Sequence, residues 1–276
     1  LQREPLWVAA TRSRVKTAVF SWPCGDSAWE GVVPALLKPY GGRRTEQEAL
    51  AYVDEALRGG ATLVMAYLAA TDTLGHHFGP GSPEVRRRLR AIDRLLAPWL
   101  RKSLAAHPGL RIVLTGDHGM ARMRRKLSLP TLLDGLHTRL FAHGGSAYIS
   151  HSEASVRREA SRRLQAQGLE VWDLDNLPES LHLRGNPRVG DLVALAPLGT
   201  WLSTDGGQEE DEGRVGAHAY LPTDPSMHAW LVVLGTGKGG LGQVSLWDIA
   251  PTIAEWLHIR WAQEPDGRPI PALMGK

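Results

Sequence analysis

The chain has 276 residues, 43% of them hydrophobic and 22% charged, an ordinary globular composition with enough length for one α/β domain carrying an insertion. The formal net charge is +3, and 26 of the 32 basic residues are Arg. The basic runs Arg86-Arg87-Arg88 and Arg122, Arg124, Arg125, Lys126 read as solvated helix and loop faces, so no specific nucleic-acid binding is expected. Cys24 is the sole cysteine, which excludes an internal disulfide and a thiolate metal cluster. No apolar run approaches the roughly 18 residues of a membrane-spanning helix. The start carries no signal-peptide pattern, and the compartment stays open between cytoplasmic and exported.

In chain order the pattern alternates strand and helix. Leu6-Trp7-Val8-Ala9-Ala10 is already structured in pattern, directly behind a first residue that is Leu rather than Met, as though a segment preceded it. Thr17-Ala18-Val19-Phe20 is a short strand ending in Trp22-Pro23. A helix runs from Thr45, a candidate N-cap, to Leu57, with Gly59-Gly60 as its stop. The apolar run 62–68 reads as a buried strand. Pro83 opens a helix with Val85, Leu89, Ile92, Leu95, Leu96, Trp99 and Leu100 mostly three or four apart. The run 111–114 reads as a second buried strand, completing a right-handed βαβ unit with parallel strands.

After Leu133 the texture changes. Strands are predicted at 147–150 and 191–196, with a basic amphipathic helix at 153–167 between them. The predicted organisation is the first part of an α/β core over 1–135, a small α+β insertion over 136–205, and the closing part of the core over 206–276. A polar, acid-rich loop (203–213) returns the chain to a last core strand (229–234) and a closing helix that opens near 245–252. No internal repeat is found.

Two segments carry the chemistry. Thr71-Asp72-Thr73-Leu74-Gly75-His76 and Thr115-Gly116-Asp117-His118-Gly119 each follow an apolar strand and deliver an Asp and then a His at its carboxyl end. Ligands of open α/β sheets gather outside those ends. A carboxylate and an imidazole arriving together suit a divalent ion such as zinc. Asp72 and His76, four apart, can be aimed at one ion by a tight loop or one helical turn. Asp117 and His118 need a turn, and the flanking Gly116 and Gly119 are expected to permit that backbone excursion. A third donor is needed, and His218 in Gly216-Ala217-His218-Ala219-Tyr220 is the best candidate. His77 is expected to be exposed or indirect, and His228 to be a structural residue at the strand edge. His107, His137, His143, His151, His182 and His258 have no ligand-like partner in the sequence.

These residues resemble the nucleotide pyrophosphatase/phosphodiesterase family of the alkaline phosphatase superfamily. The resemblance runs over nearly the whole chain. Asp72-Thr73-Leu74-Gly75-His76 with Gly79-Pro80 matches D-x-x-G-H-x-x-G-P. Gly116-Asp117-His118-Gly119-Met120 resembles the second metal block, with Gly116 where Ser is usual. Pro5-Leu6-Trp7-Val8, Phe20-Ser21-Trp22-Pro23, Pro187-Arg188-Val189-Gly190-Asp191-Leu192 and Ser226-Met227-His228 are similar to further family segments. His218 is usually followed by Gly, and here Ala219 stands in its place.

The resemblance implies an alkaline-phosphatase-like α/β fold, with a mostly parallel sheet flanked by helices. It implies two divalent ions, most simply zinc: Asp72, His76 and His218 would hold one, Asp117 and His118 the other. Tyr40 falls where relatives place an aromatic that stacks on a substrate's base. The implied reaction is in-line displacement on a small-molecule phosphodiester or nucleotide substrate through a phospho-Thr or phospho-Ser. The family's nucleophile and one more metal-binding Asp are expected upstream of Leu1, so the chain reads as a hydrolase portion lacking an N-terminal segment. The alternatives are a phosphomonoesterase, phosphonate or sulfate hydrolase or phosphomutase of the same superfamily, or a non-catalytic metal-binding relative.

Overall fold

A computed structural model describes residues 3–27, 29–42, 44–204 and 213–274. The first stretch runs α1 (Leu6–Arg12), β1 (Thr17–Phe20), β2 (Leu36–Lys38), α2 (Glu46–Arg58), β3 (Leu63–Ala66), α3 (Ala70–Phe78), α4 (Pro83–Ala106) and β4 (Ile112–Thr115). There follow β5 (Ala121–Arg122), β6 (Arg125–Ser128), α5 (Leu129–Leu132), β7 (Arg139–His143), β8 (Ser146–Ser150), α6 (Ala154–Gln165) and β9 (Glu170–Asp173). The chain closes with β10 (Leu192–Leu195), β11 (Thr200–Ser203), β12 (Gly216–Ala217), β13 (Leu231–Leu234) and α7 (Ile249–Trp256). It forms two compact units, one of residues 1–69, 90–114 and 232–276, the other of 70–89 and 115–231.

In the first unit β1 is the centre of a three-stranded parallel sheet, β2-β1-β3, and all four of its side chains are buried. α2 covers one face with Ala49, Tyr52 and Ala56, which pack with Ala18 and Phe20. Its start is fixed by a capping box. The Glu48 N–H donates to Thr45 Oγ1 (3.2 Å) and the Thr45 N–H to Glu48 Oε2 (2.7 Å). On the opposite side α1 and α7 meet over Leu6, Ala9, Ala10, Leu63, Ala254 and Ile259.

The two apolar runs expected as buried strands are only partly so. β3 buries Leu63 and leaves its other residues half-buried, and β4 is half-buried throughout. Among the described residues β3 is bonded to β1, and β4 to β13. Val232 of β13 is exposed. The intervening stretch is two helices, α3 and α4, broken at Gly79-Pro80-Gly81, where both glycines have positive φ.

The second unit holds the antiparallel sheet β7-β8-β10-β9. Its strand β10 reads Leu-Val-Ala-Leu and is wholly buried, as a central strand should be. α6 lies on it through Ala160 and Leu164, within a core of Leu129, Ile149, Leu192, Ala194 and Leu202. Two short pairings, β6 with β11 and β5 with β12, extend the framework. Most of the loop expected at 203–213 lies outside the described residues.

Candidate metal centre

α3 answers how Asp72 and His76 reach one point: they sit four apart on one face of a regular helix rather than in a loop. β12 locks the carboxyl end of that helix. The Val215 N–H donates to the His76 carbonyl (2.8 Å), and His76 Nδ1 lies 2.9 Å from the Gly216 carbonyl oxygen. A carbonyl only accepts, so Nδ1 carries a proton, and in the neutral ring Nε2 is the nitrogen that presents a lone pair. That nitrogen faces Asp72 Oδ1 at 3.4 Å. His218 Nε2 approaches the same oxygen at 3.8 Å. Asp72 Oδ1 is buried and accepts no hydrogen bond.

Asp72, His76 and His218 are the only group of three or more His, Cys, Asp or Glu among the described residues whose donor atoms all fall within 4.8 Å of one another. A buried carboxylate oxygen facing an imidazole lone pair is an unfavourable arrangement that a cation between them would relieve. The donor set, one carboxylate and two imidazoles, is of the type that holds zinc-like ions.

Asp117 and His118 repeat the pattern. His118 Nδ1 lies 2.8 Å from the Gly119 carbonyl, which fixes its proton there and turns Nε2 toward Asp117 Oδ2 at 3.7 Å. The His118 ring stacks on His218, with centroids 3.8 Å apart. This second pair thus adjoins the first group. Neither Gly116 nor Gly119 has a positive φ. Gly119 serves by close approach instead, since a Cβ there would collide with the Ser226 carbonyl oxygen.

His218 is held by the turn between β7 and β8. The Gly145 N–H donates to the His218 carbonyl (3.0 Å), and a Cβ on Gly144 would strike that carbonyl. Ala219 follows at φ +63°, the left-handed region that glycine occupies without strain. Burial, together with the neighbouring imidazoles of His118, His143 and His76 and the Arg214 guanidinium, pushes the His218 pKa down to about 3, so its ring is neutral near pH 7.

The other histidines separate clearly. His77 is exposed, its Nδ1 tied to the Thr73 carbonyl (2.8 Å). His228 is exposed and caps the short 3₁₀ turn before β13. Tyr40, in the first unit, is 52% exposed, with its ring 6.1 Å from that of Tyr67. His143 is the residue the sequence reading missed. It ends β7, and its ring lies 5.0 Å from His218 and 6.4 Å from Trp201. Its one sequence cue is the Gly144-Gly145 pair behind it, which brings the hairpin tip against His218.

The family model described as type I phosphodiesterase / nucleotide pyrophosphatase matches residues 1–221. The chain belongs to that family. It is 25% identical to human ectonucleotide pyrophosphatase/phosphodiesterase family member 7, over 96% of this chain and 66% of that protein. The rat family member 7 is also 25% identical, over 86% of this chain and 58% of its own length. Venom phosphodiesterase of Naja atra is 27% identical over 85% of this chain and 30% of that one. The chain therefore spans a little under two thirds of the family member 7 proteins.

Among solved structures, human ectonucleotide pyrophosphatase/phosphodiesterase 5 superposes with a TM-score of 0.83 at 23% identity, covering 96% of this chain and 72% of that one. The murine protein in an inactive form complexed with AMP gives 0.80 at 22% identity. The likeness establishes the alkaline-phosphatase-like α/β fold. Among the described residues no helix is long and apolar enough to cross a membrane.

Proposed function

We propose that this chain carries the metal site of a hydrolase of phosphodiester or pyrophosphate bonds. Asp72, His76 and His218 hold one divalent ion, most simply zinc, and Asp117 and His118 contribute to a second. One observation carries the reading. In both Asp-His pairs a backbone carbonyl fixes the proton on Nδ1, so that Nε2 meets a carboxylate oxygen acceptor to acceptor. Two independent segments sharing an arrangement that a bound cation would satisfy support a metal-binding role. Membership of the phosphodiesterase family supplies the reaction class.

Ions bound there would polarise a phosphoryl oxygen and stabilise the developing charge of an in-line displacement. The protein's own contribution is orientation. The Gly216 and Gly119 carbonyls set two imidazoles in the tautomer that can bind metal, and the hairpin at Gly144-Gly145 fixes a third. Tyr40 offers an exposed ring on which the base of a nucleotide substrate could stack. These assignments account for the metal site and not for the nucleophile, so the first test reads metal and not turnover.

That test is zinc content after dialysis against a weak chelator, for the wild type and for Asp72→Ala, His76→Ala and Asp117→Ala. Retained zinc in the wild type and its loss from the variants is the expected result. Wild-type protein that emerges free of zinc, or variants that keep the full complement, would overturn the assignment. A panel of nitrophenyl diester, monoester and sulfate substrates then sorts the reaction class.

A further inference from the structure

The antiparallel sheet of the second unit finishes its two faces differently. Leu140, Ala142, Ile149, Leu192 and Ala194 point into the core under α6. Alternate residues point the other way. On that side a row crosses all four strands, with Phe141 opposite Tyr148, Tyr148 opposite Val193 and Val193 opposite Trp172. Leu177 and Val189 pack over Tyr148, Val193 and Trp172. That cover does not include Phe141, which is 63% exposed, more than any other large hydrophobic side chain among the described residues.

Position makes this exposure informative. β7 stands at the end of the sheet order, where an apolar ring invites unwanted association and charged residues are the usual safeguard. A cross-strand aromatic pair adds about 0.2–1 kcal/mol to a sheet, which does not call for a ring left mostly in water. Phe141 and Tyr148 are stacked, with centroids 6.0 Å apart and planes 30° from parallel. Two residues further along the same face of β7, about 7 Å on, stands His143. Its ring lies 5.0 Å from that of His218. One strand face therefore leads from the proposed metal centre to an open aromatic surface, close enough for a single molecule to touch both.

We propose that Phe141, backed by Tyr148, is a stacking platform for a planar ring esterified to the phosphoryl group held at the metal centre. The proposal rests on the metal-centre reading given above. It describes the substrate more closely, as an ester whose ring-bearing group extends along the β7–β8 hairpin. Stacking reads a flat face and no hydrogen-bond pattern, so the platform takes an aryl group as readily as a nucleobase.

The experiment is calorimetry on the zinc-loaded 276-residue chain with two methylphosphonate monoesters, one of 2-naphthylmethanol and one of its fully hydrogenated counterpart. The second is of similar size and at least as apolar, but it has no flat face. Wild-type protein should bind the naphthyl ester roughly fivefold more tightly, the size of one aromatic pair beyond its area burial. Phe141→Leu should bring that ratio close to one, and Phe141→Tyr should keep it. Both variants should hold the wild-type zinc content, because the position lies on the exposed face of the sheet. Zinc-loaded wild type that binds neither ester, or binds the two alike, would overturn the proposal, as would Phe141→Leu protein that keeps the full ratio. Naphthyl binding that is equally tight with and without zinc would also overturn it, by detaching the ring surface from the metal centre, and would leave the metal-centre reading standing. Wild-type chain that holds no zinc would instead sink the metal-centre reading, and this proposal with it.

Discussion

Asp72→Asn separates the metal reading from its structural rival by the sign of the effect. In the metal-free protein Asp72 Oδ1 is buried, accepts no hydrogen bond, and faces His76 Nε2 at 3.4 Å and His218 Nε2 at 3.8 Å. A buried acceptor left without a donor costs about 1–3 kcal/mol. Asparagine of the same shape removes the charge and brings an N–H that can donate to either imidazole. The metal-free variant should therefore be as stable as the wild type or up to about 2 kcal/mol more stable, and at about 2–4 °C per kcal/mol for a chain of this size its melting temperature should rise by up to about 8 °C. With zinc the order reverses. A ligand at about one hundred times its dissociation constant adds about 2.7 kcal/mol to the wild type, and the variant should gain little of this. Thermal unfolding with chelator and with excess zinc reads both halves. The rival is a His76 protonated on both nitrogens and paired with Asp72 as a plain ion pair. Under it the variant melts lower without zinc, and zinc shifts the two proteins equally; that outcome would refute the reasoning.

Other predictions follow from the same geometry. His218→Ala should lose zinc on chelator dialysis while the exposed His228→Ala keeps it, measured as bound metal per chain. Because burial and its imidazole neighbours push His218 down to about 3, against about 6.5 when unfolded, the unfolded chain binds a proton that the folded one refuses between those values. Stability of the zinc-free protein should thus fall as pH is lowered from about 6.5 toward 3, and His218→Asn should flatten that slope in urea titrations. Ala219→Gly should raise stability by about 0.5–1 kcal/mol, since Ala219 sits at φ +63°; a neutral or lower midpoint in denaturant would show the strain is absorbed elsewhere.

Legibility in the sequence followed the strength of local signals. Thr45 and Glu48 spell a capping box, and the helix begins where they put it, at Glu46. Thr17–Phe20 and the run at 192–195 are short and almost wholly apolar, and both are central strands with every residue buried. Pairing was less legible, because an apolar run states that a strand is covered without naming its neighbour. The runs at 63–66 and 112–115 look alike, yet they bond to β1 and β13 respectively and not to each other. The short strands β5, β6, β11 and β12 carry no period long enough to read, although they position the metal centre.

The five proposed donors Asp72, His76, Asp117, His118 and His218 could be nominated from spacing and strand ends. What spacing cannot supply is the proton. A histidine becomes a ligand when its other nitrogen is held by an acceptor, and here the acceptors are backbone carbonyls: Gly216, distant in sequence from His76, and Gly119, next to His118. No residue type announces a carbonyl, so the tautomer emerges only once β12 is laid against α3. His143 shows the same limit from the other side. Its residue type was visible and its one cue was the glycine pair behind it, and it reaches His218 because Gly144 and Gly145 let the hairpin close on the His218 carbonyl. Side chains nominate a site, and the backbone that holds them decides which nominees can bind.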